Sequence, residues 1–276
     1  MIACLYPAEP EYRNKSTWDA VRLNQGNGKI EQEQDSLESL LAIEEICDPR
    51  TDEGIPLTFN PGPRAGQGLF LGSDVDKCDV HLPKLRGISG RHCYLTFDAK
   101  RRLILRDCSR FGTSVEYGDQ GGETRATIRL AKPDHFTWIL SGEGFLDGER
   151  ILIKIGDIKF KIVVSEQSID SPRYIENVDR FLRQAHENEE FSFSSLSIQN
   201  TPDPSRPQTP QPRKHNPIYI DEKLIIGSGS YSTVRRVWDV STGIKYAAKH
   251  FKDTGMIVSN WKEEASNLER VSRHVG

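Results

Sequence analysis

The sequence predicts a mostly β chain: an antiparallel β-sandwich, a linker rich in proline and serine, and then a smaller α+β piece. Three observations carry this reading. Short apolar runs alternate with turn residues over 56–166, prolines and serines crowd 191–216, and apolar periodicity returns over 217–276. Repeated short strands between turn signals are the pattern of a sandwich. A Pro/Ser-rich stretch cannot bury enough apolar surface to fold and favours an extended linker.

Residues 1–55 read as a polar, irregular segment. The opening Met-Ile-Ala-Cys-Leu-Tyr is apolar, but it lacks a basic flank and Pro7, Glu9 and Pro10 interrupt it, so no secretory leader is expected. Further on, Leu37, Leu40, Leu41, Ile43 and Ile46 recur at helical spacing. They suit a short amphipathic helix or a docking segment equally well.

Within 56–166 the expected strands are Gly68–Leu71, Cys93–Phe97, Leu103–Leu105, Thr113–Tyr117, Ile151–Ile155 and Ile158–Val164. The next stretch, 167–190, predicts a helix after Pro172 with Tyr174, Val178, Phe181, Leu182 and Ala185 on one face. The linker then contains Thr201-Pro202 and Thr209-Pro210. These pairs fit proline-directed phosphorylation, and ordinary linker composition accounts for them as well. In the last segment, Ile218–Gly227, Tyr231–Asp239 and Lys245–Phe251 read as strands and Ile257–Arg273 as a helix.

Composition narrows the function classes. The net charge of −3 and pI of about 6.2 give no global basic excess, so neither nucleic acid nor an anionic membrane is an expected partner. No run approaches the ~20 apolar residues that span a bilayer. The five cysteines, Cys4, Cys47, Cys78, Cys93 and Cys108, are odd in number and contain no C-x-x-C pair. Free thiols in a reducing compartment, cytoplasm or nucleus, are expected, with no metal site.

The last segment carries Gly227-Ser228-Gly229-Ser230-Tyr231-Ser232-Thr233-Val234, and Lys249 follows inside Tyr246-Ala247-Ala248-Lys249. Glycines let backbone N–H groups approach phosphates where a Cβ would clash, and a lysine on the next strand supplies a point charge. A carboxylate on the following helix would hold that lysine: Glu264 is the first candidate and Glu263 the second. This ordered set resembles the ATP-binding lobe of eukaryotic-type Ser/Thr protein kinases. The resemblance implies ATP as ligand, held by Gly227, Ser228, Gly229, Ser230, Val234, Lys249 and Glu264. Ser232 stands where the family has its third glycine. No H-R-D or D-F-G segment follows Lys249, and Arg106-Asp107 and Phe111-Gly112 precede the glycine loop. The chain as it stands is therefore expected to be inactive, with magnesium only where the missing part is supplied.

A second constellation lies in the sandwich. It runs Leu69-Phe70-Leu71-Gly72-Ser73, Ile88-Ser89-Gly90-Arg91-His92-Cys93 and Asp107-Cys108-Ser109-Arg110-Phe111-Gly112-Thr113. This resembles the forkhead-associated (FHA) domain, whose apical loops bind phosphothreonine peptides. The resemblance implies a phosphothreonine-containing protein as partner. Ser89 would contact phosphate, Arg91, Arg110, Gly112 and Thr113 would complete the site, and His92 would brace the loops. Three positions depart from the family. Ser73 replaces a phosphate-contacting arginine, Phe111 replaces a backbone-holding asparagine, and Gly90 stands where Asn or Arg is usual. Losing the arginine removes a charge-assisted contact of roughly 1.5–3 kcal/mol. Arg91 or Arg110 offers a substitute, although Arg91 would also suit a solvated face.

Together the two resemblances, in this order along the chain, are similar to fungal checkpoint-type kinases. They predict a phosphopeptide reader tethered to a partial kinase lobe, either a truncated kinase or a non-catalytic adaptor or pseudokinase scaffold.

Overall fold

A computed structural model describes residues 1–25, 54–126, 135–142, 150–165, 171–194, 216–230 and 232–252. The expected helix over 31–46, the two Thr-Pro pairs, the helix over 257–273 with Glu263 and Glu264, and Cys47 lie outside the described residues.

Two sheets form the sandwich. The first contains β1 (Ala3–Pro7), β2 (Ile55–Leu57), β7 (Thr113–Tyr117), β8 (Gln120–Gly121), β10 (Ile151–Ile155) and β11 (Ile158–Val164), all antiparallel in the order β2-β1-β11-β10-β7-β8. The second contains β3 (Leu69–Gly72), β4 (Val80–His81), β5 (Cys93–Phe97), β6 (Leu103–Asp107) and β9 (Thr137–Ile139), in the order β4-β3-β5-β6-β9. Only the β3–β4 pair in that sheet is parallel.

The pleat explains the register. Side chains alternate between faces along a strand, so one face must be apolar. In β11, Ile158, Phe160 and Ile162 are buried while Lys159 and Lys161 turn outward. Their partners on β10 are Ile155, Ile153 and Ile151, so the pairing places apolar rows opposite one another. A one-residue slip would push lysines into the core. The Tyr117 hydroxyl crosses between the sheets and donates to the Ile139 carbonyl at 2.8 Å.

Residues 1–25 correct the expectation of an irregular N-terminal segment. The opening apolar run is β1, a central strand paired with both β2 and β11, and Ala3, Cys4 and Leu5 are buried. Because consecutive residues are buried, both faces of the strand are covered and no alternation marks it. The cover is α1 (Lys15–Gln25), which packs on β1, β2, β4 and β11 through Thr17, Ala20 and Val21. Asn14 caps this helix by accepting the Thr17 N–H at 3.0 Å. At the other end, Asn24 exchanges two hydrogen bonds with the backbone of His81, covering the open edge of β4.

A second helix, α2 (Pro172–Ser194), begins with proline in its first turn, where a missing N–H costs nothing. It buries Tyr174, Val178, Phe181 and Ala185, with Leu182 half-buried, on the face its periodicity predicts. Phe59, Phe97, Tyr174 and Phe181 meet there edge-to-face or stacked. The helix runs to Ser194, into the stretch expected to be linker.

A third sheet contains β12 (Tyr219–Ser228), β13 (Ser232–Asp239) and β14 (Lys245–Phe251) in that order. Two compact units divide the chain, one of residues 1–220 with 239–243, the other holding the remainder of this three-stranded sheet. Among the described residues, no helix is long and apolar enough to cross a membrane.

Candidate functional site

Three loops converge at one end of the sandwich, and backbone hydrogen bonds tie them together. The Ser73 N–H donates to Ser89 C=O at 3.2 Å and the Asp74 N–H to Gly90 C=O at 3.0 Å. Gly72 makes this approach possible: a Cβ there would stand 2.0 Å from the Gly90 carbonyl oxygen. The Cys78 thiol caps the same carbonyl at 3.1 Å.

The third loop is built around a buried carboxylate. Asp107 accepts the Ser109 hydroxyl at 2.7 Å, the Thr113 hydroxyl at 2.9 Å and the Ser109 N–H at 3.2 Å. The Ser109 hydroxyl oxygen in turn accepts the Gly112 N–H at 2.7 Å. Gly112 has φ +90°, a left-handed conformation that glycine adopts without a Cβ penalty. The spacing Asp-x-Ser-x-x-Gly-Thr is therefore the covalent record of one closed turn.

His92 joins the second loop to the third. Its Nδ1 accepts the Ser89 N–H at 3.1 Å, and its Nε2 lies 3.1 Å from the Gly112 carbonyl. Nδ1 must offer a lone pair, so the proton sits on Nε2 and the ring is neutral. Burial lowers its pKa, outweighing the Gly112 carbonyl and the Asp107 carboxylate, which act in the opposite direction.

These loops enclose a cleft of about 340 Å³ lined by Ser89, Gly90, Arg91, Cys108, Arg110 and Phe111. Arg91 and Arg110 are exposed, and neither has a carboxylate partner among the described residues. The Arg91 guanidinium lies 5.2 Å from the Phe70 ring centroid, where the ring face supports its charge. The Arg110 N–H reaches the Ser89 hydroxyl at 3.4 Å, which brings the two loops to one rim. A hydroxyl and two arginines without carboxylate partners lining one cleft are a suitable environment for an oxyanion. Cys108 also lines the cleft, but burial pushes its thiol up to about 12, so it stays protonated and poorly nucleophilic.

Of the residues expected to bind, Ser89, Arg91 and Arg110 face the cleft. Gly112 and Thr113 are not among the residues lining it. Both are buried, the Gly112 N–H and C=O are both occupied, and Thr113 is spent on Asp107. His92, expected to brace the loops, bonds to the Ser89 N–H and lies against the Gly112 carbonyl. Sequence reasoning quoted Asp107 and Ser109 without giving them roles. Their signal was present, because an Asp two residues before a Ser is a local turn pattern. Ser73 stays with the loop scaffold, its hydroxyl 3.5 Å from the Ser89 carbonyl.

The three-stranded sheet presents its own constellation. Gly227 and Gly229 flank the hairpin between β12 and β13, which closes with the Gly229 N–H on Ser232 C=O at 2.8 Å. Val234 and Lys249 are directly opposite in the β13–β14 register, so their side chains share a face. A Cβ on Gly227 would meet only Val234, at 3.8 Å, so the hairpin is open on that side. The Lys249 ammonium sits 5.3 Å from the Phe251 ring centroid. Ser228 and Ser230 lie at the hairpin end, and Glu264 lies outside the described residues. Glycine backbone, valine and lysine thus share one open face.

No curated protein sequence matches this chain. Among solved structures it is similar to the crystal structure of Rad53 1-466 in complex with AMP-PNP, at 17% identity over 92% of this chain. The TM-score is 0.33, below that of a shared overall arrangement, and the chain covers 45% of that structure's length. The family model of the FHA domain matches residues 69–138, from β3 into β9 and across every residue lining the cleft, and the sandwich is accordingly of the FHA type.

Proposed function

We propose that this chain is a phosphothreonine-peptide-binding module coupled to the ATP-binding part of a Ser/Thr protein kinase. The observation that carries the first half is the cleft that Ser89, Arg91 and Arg110 line together, on loops joined by His92. A phosphate dianion needs convergent donors on a rigid frame, and this rim supplies two free cations and a hydroxyl. The missing arginine at Ser73 is offset by these two.

The second half draws on the shared face of Gly227, Val234 and Lys249. ATP is the ligand this face would take, with magnesium only alongside the catalytic loops that these 276 residues lack. Nucleic acid and membrane are not proposed partners, and the nucleus or cytoplasm is the proposed setting.

The test is titration of the full chain with a fluorescent phosphothreonine peptide pool and with its unphosphorylated counterpart. Equal affinity for the two would remove the phosphate-reading proposal. A second reading is a non-catalytic adaptor or pseudokinase scaffold that works through the cleft of Ser89, Arg91 and Arg110 alone. Titration with an ATP analogue separates the two: no nucleotide binding leaves only the adaptor.

A further inference from the structure

We infer that the outer edge of β9 is an interaction surface whose partner is a segment of the same chain, the turn of residues 239–243 that joins β13 to β14. The inference stands apart from the phosphothreonine and nucleotide readings.

The sheet β4-β3-β5-β6-β9 has two ends, and an open edge presents unpaired N–H and C=O groups. Asn24 of α1 covers the β4 end. At the β9 end, the Ile139 N–H turns away from β6 and donates to the Val240 carbonyl at 2.9 Å. The Val240 N–H donates in turn to the Ile218 carbonyl at 3.0 Å. Two further backbone layers thus continue the sheet, and residues 239–243 belong to the same compact unit as the sandwich. Both covers come from outside the family-matched residues 69–138.

The side chains agree with the backbone. A turn between two strands ordinarily lies in water and is polar. This one buries Val240 completely, beside the equally buried Ile139 and Ile218. Gly243 comes close enough to Ile139 that a Cβ would stand 3.1 Å from its Cδ1. Arg102, held by Asp98, donates to the Thr242 carbonyl at 3.3 Å. The turn is also ordered by its own bonds. Asp239 accepts the Ser241 N–H on its carboxylate at 2.8 Å and the Gly243 N–H on its carbonyl at 2.7 Å. It therefore presents Val240 at a small entropy cost.

What the edge supports is the strand beside the cleft. The Asp107 N–H donates to the Phe136 carbonyl at 3.1 Å, and His135 Nδ1 lies 2.7 Å from the Asp107 carbonyl. The carboxylate of that Asp107 orders the third cleft loop. Fastening β9 from outside steadies the support of that loop.

The experiment is amide hydrogen exchange followed by NMR on the full chain, read at Ile139 and Leu140. The Leu140 N–H bonds to Leu103 inside the sheet and serves as the internal reference. Both amides should exchange about 100-fold or more slowly than a free amide. In Val240→Asp, whose charge cannot stay buried, Ile139 should exchange at least about tenfold faster relative to Leu140, the equivalent of one lost hydrogen bond. Loss of protection at both amides in that variant supports the inference too, because a turn detached from the sandwich could not open it. Free exchange of Ile139 in the parent beside a protected Leu140 overturns the inference, as does a Val240→Asp chain in which both amides behave as in the parent.

Discussion

The Nδ1 of His92 accepts the backbone N–H of Ser89 at 3.1 Å, and this bond decides which form of the ring the fold tolerates. A protonated imidazole would place a second donor against that N–H. The cleft frame thus contains a group that must stay neutral, and burial already lowers its pKa.

Acid should therefore destabilise the sandwich earlier than its carboxylates alone would. The folded-state pKa of His92 lies below its unfolded value of about 6.5. Its contribution is fully present above that value and is lost as pH falls below it, because the unfolded chain binds the extra proton. The slope is at most ~1.4 kcal/mol per pH unit for one such group. Urea unfolding between pH 7.5 and 5 measures it. His92→Gln, whose amide can serve both partners without titrating, should show a shallower slope, and equal slopes would clear His92 of the role.

Gly72→Ala should cost more than a surface change. Its Cβ would stand 2.0 Å from the Gly90 oxygen, a backbone atom that cannot swing away. Either the 73–74 or the 89–90 loop must shift, at a cost of roughly 1–3 kcal/mol. Phosphopeptide affinity should fall with it. A variant as stable as the parent would mean that the loops are looser than their hydrogen bonds indicate.

How much of this was legible in the sequence differs by element. Strands with one solvated face announced themselves: in Ile158–Val164 the lysines alternate with the core residues, and the strand was read to the residue. β1 was not, because Ala3, Cys4 and Leu5 are covered on both sides and lose their period. β4, with only Val80 and His81, is too short to have one. At the loop cleft, motif spacing named Ser89 and His92, but not which members of Asp-x-Ser-x-x-Gly-Thr line the cleft. That depends on where side chains turn within a closed loop. Thr113 turns inward to Asp107, while Phe111, noticed only as a departure, turns out.

Cys108 should be slow to react despite lining the cleft. Burial pushes its thiol up to about 12, and only a minute thiolate fraction exists at pH 8. Cys78 follows the same logic at about 11. Alkylation of the folded chain with iodoacetamide, followed by peptide mass mapping, should leave both largely unmodified while the denatured chain reacts fully. Rapid labelling of Cys108 in the native state would show an open, water-filled cleft floor.

Arg91→Ala and Arg110→Ala should each weaken phosphopeptide binding by about tenfold, the lower end expected for a charge-assisted contact at an exposed site. Both side chains are exposed, so added salt should weaken the parent more than either variant. Fluorescence anisotropy at two ionic strengths reads both effects. If only Arg110→Ala loses affinity, Arg91 belongs to its contact with the Phe70 ring and to solvent.

Lys249→Ala tests the other proposed ligand. Lys249 shares its strand face with Val234, opposite the open side of Gly227, so an ATP analogue bound there would meet the ammonium beside the glycine backbone. Removing a phosphate-facing charge should cost at least ~1.5 kcal/mol, more than a tenfold loss of nucleotide affinity. The substitution lies on an exposed strand position, so the sheet should keep its stability. Isothermal titration of the parent and the variant with a non-hydrolysable ATP analogue decides the matter. Binding by the parent that survives Lys249→Ala would place the nucleotide elsewhere, and no binding by the parent would leave the FHA domain as the chain's working part.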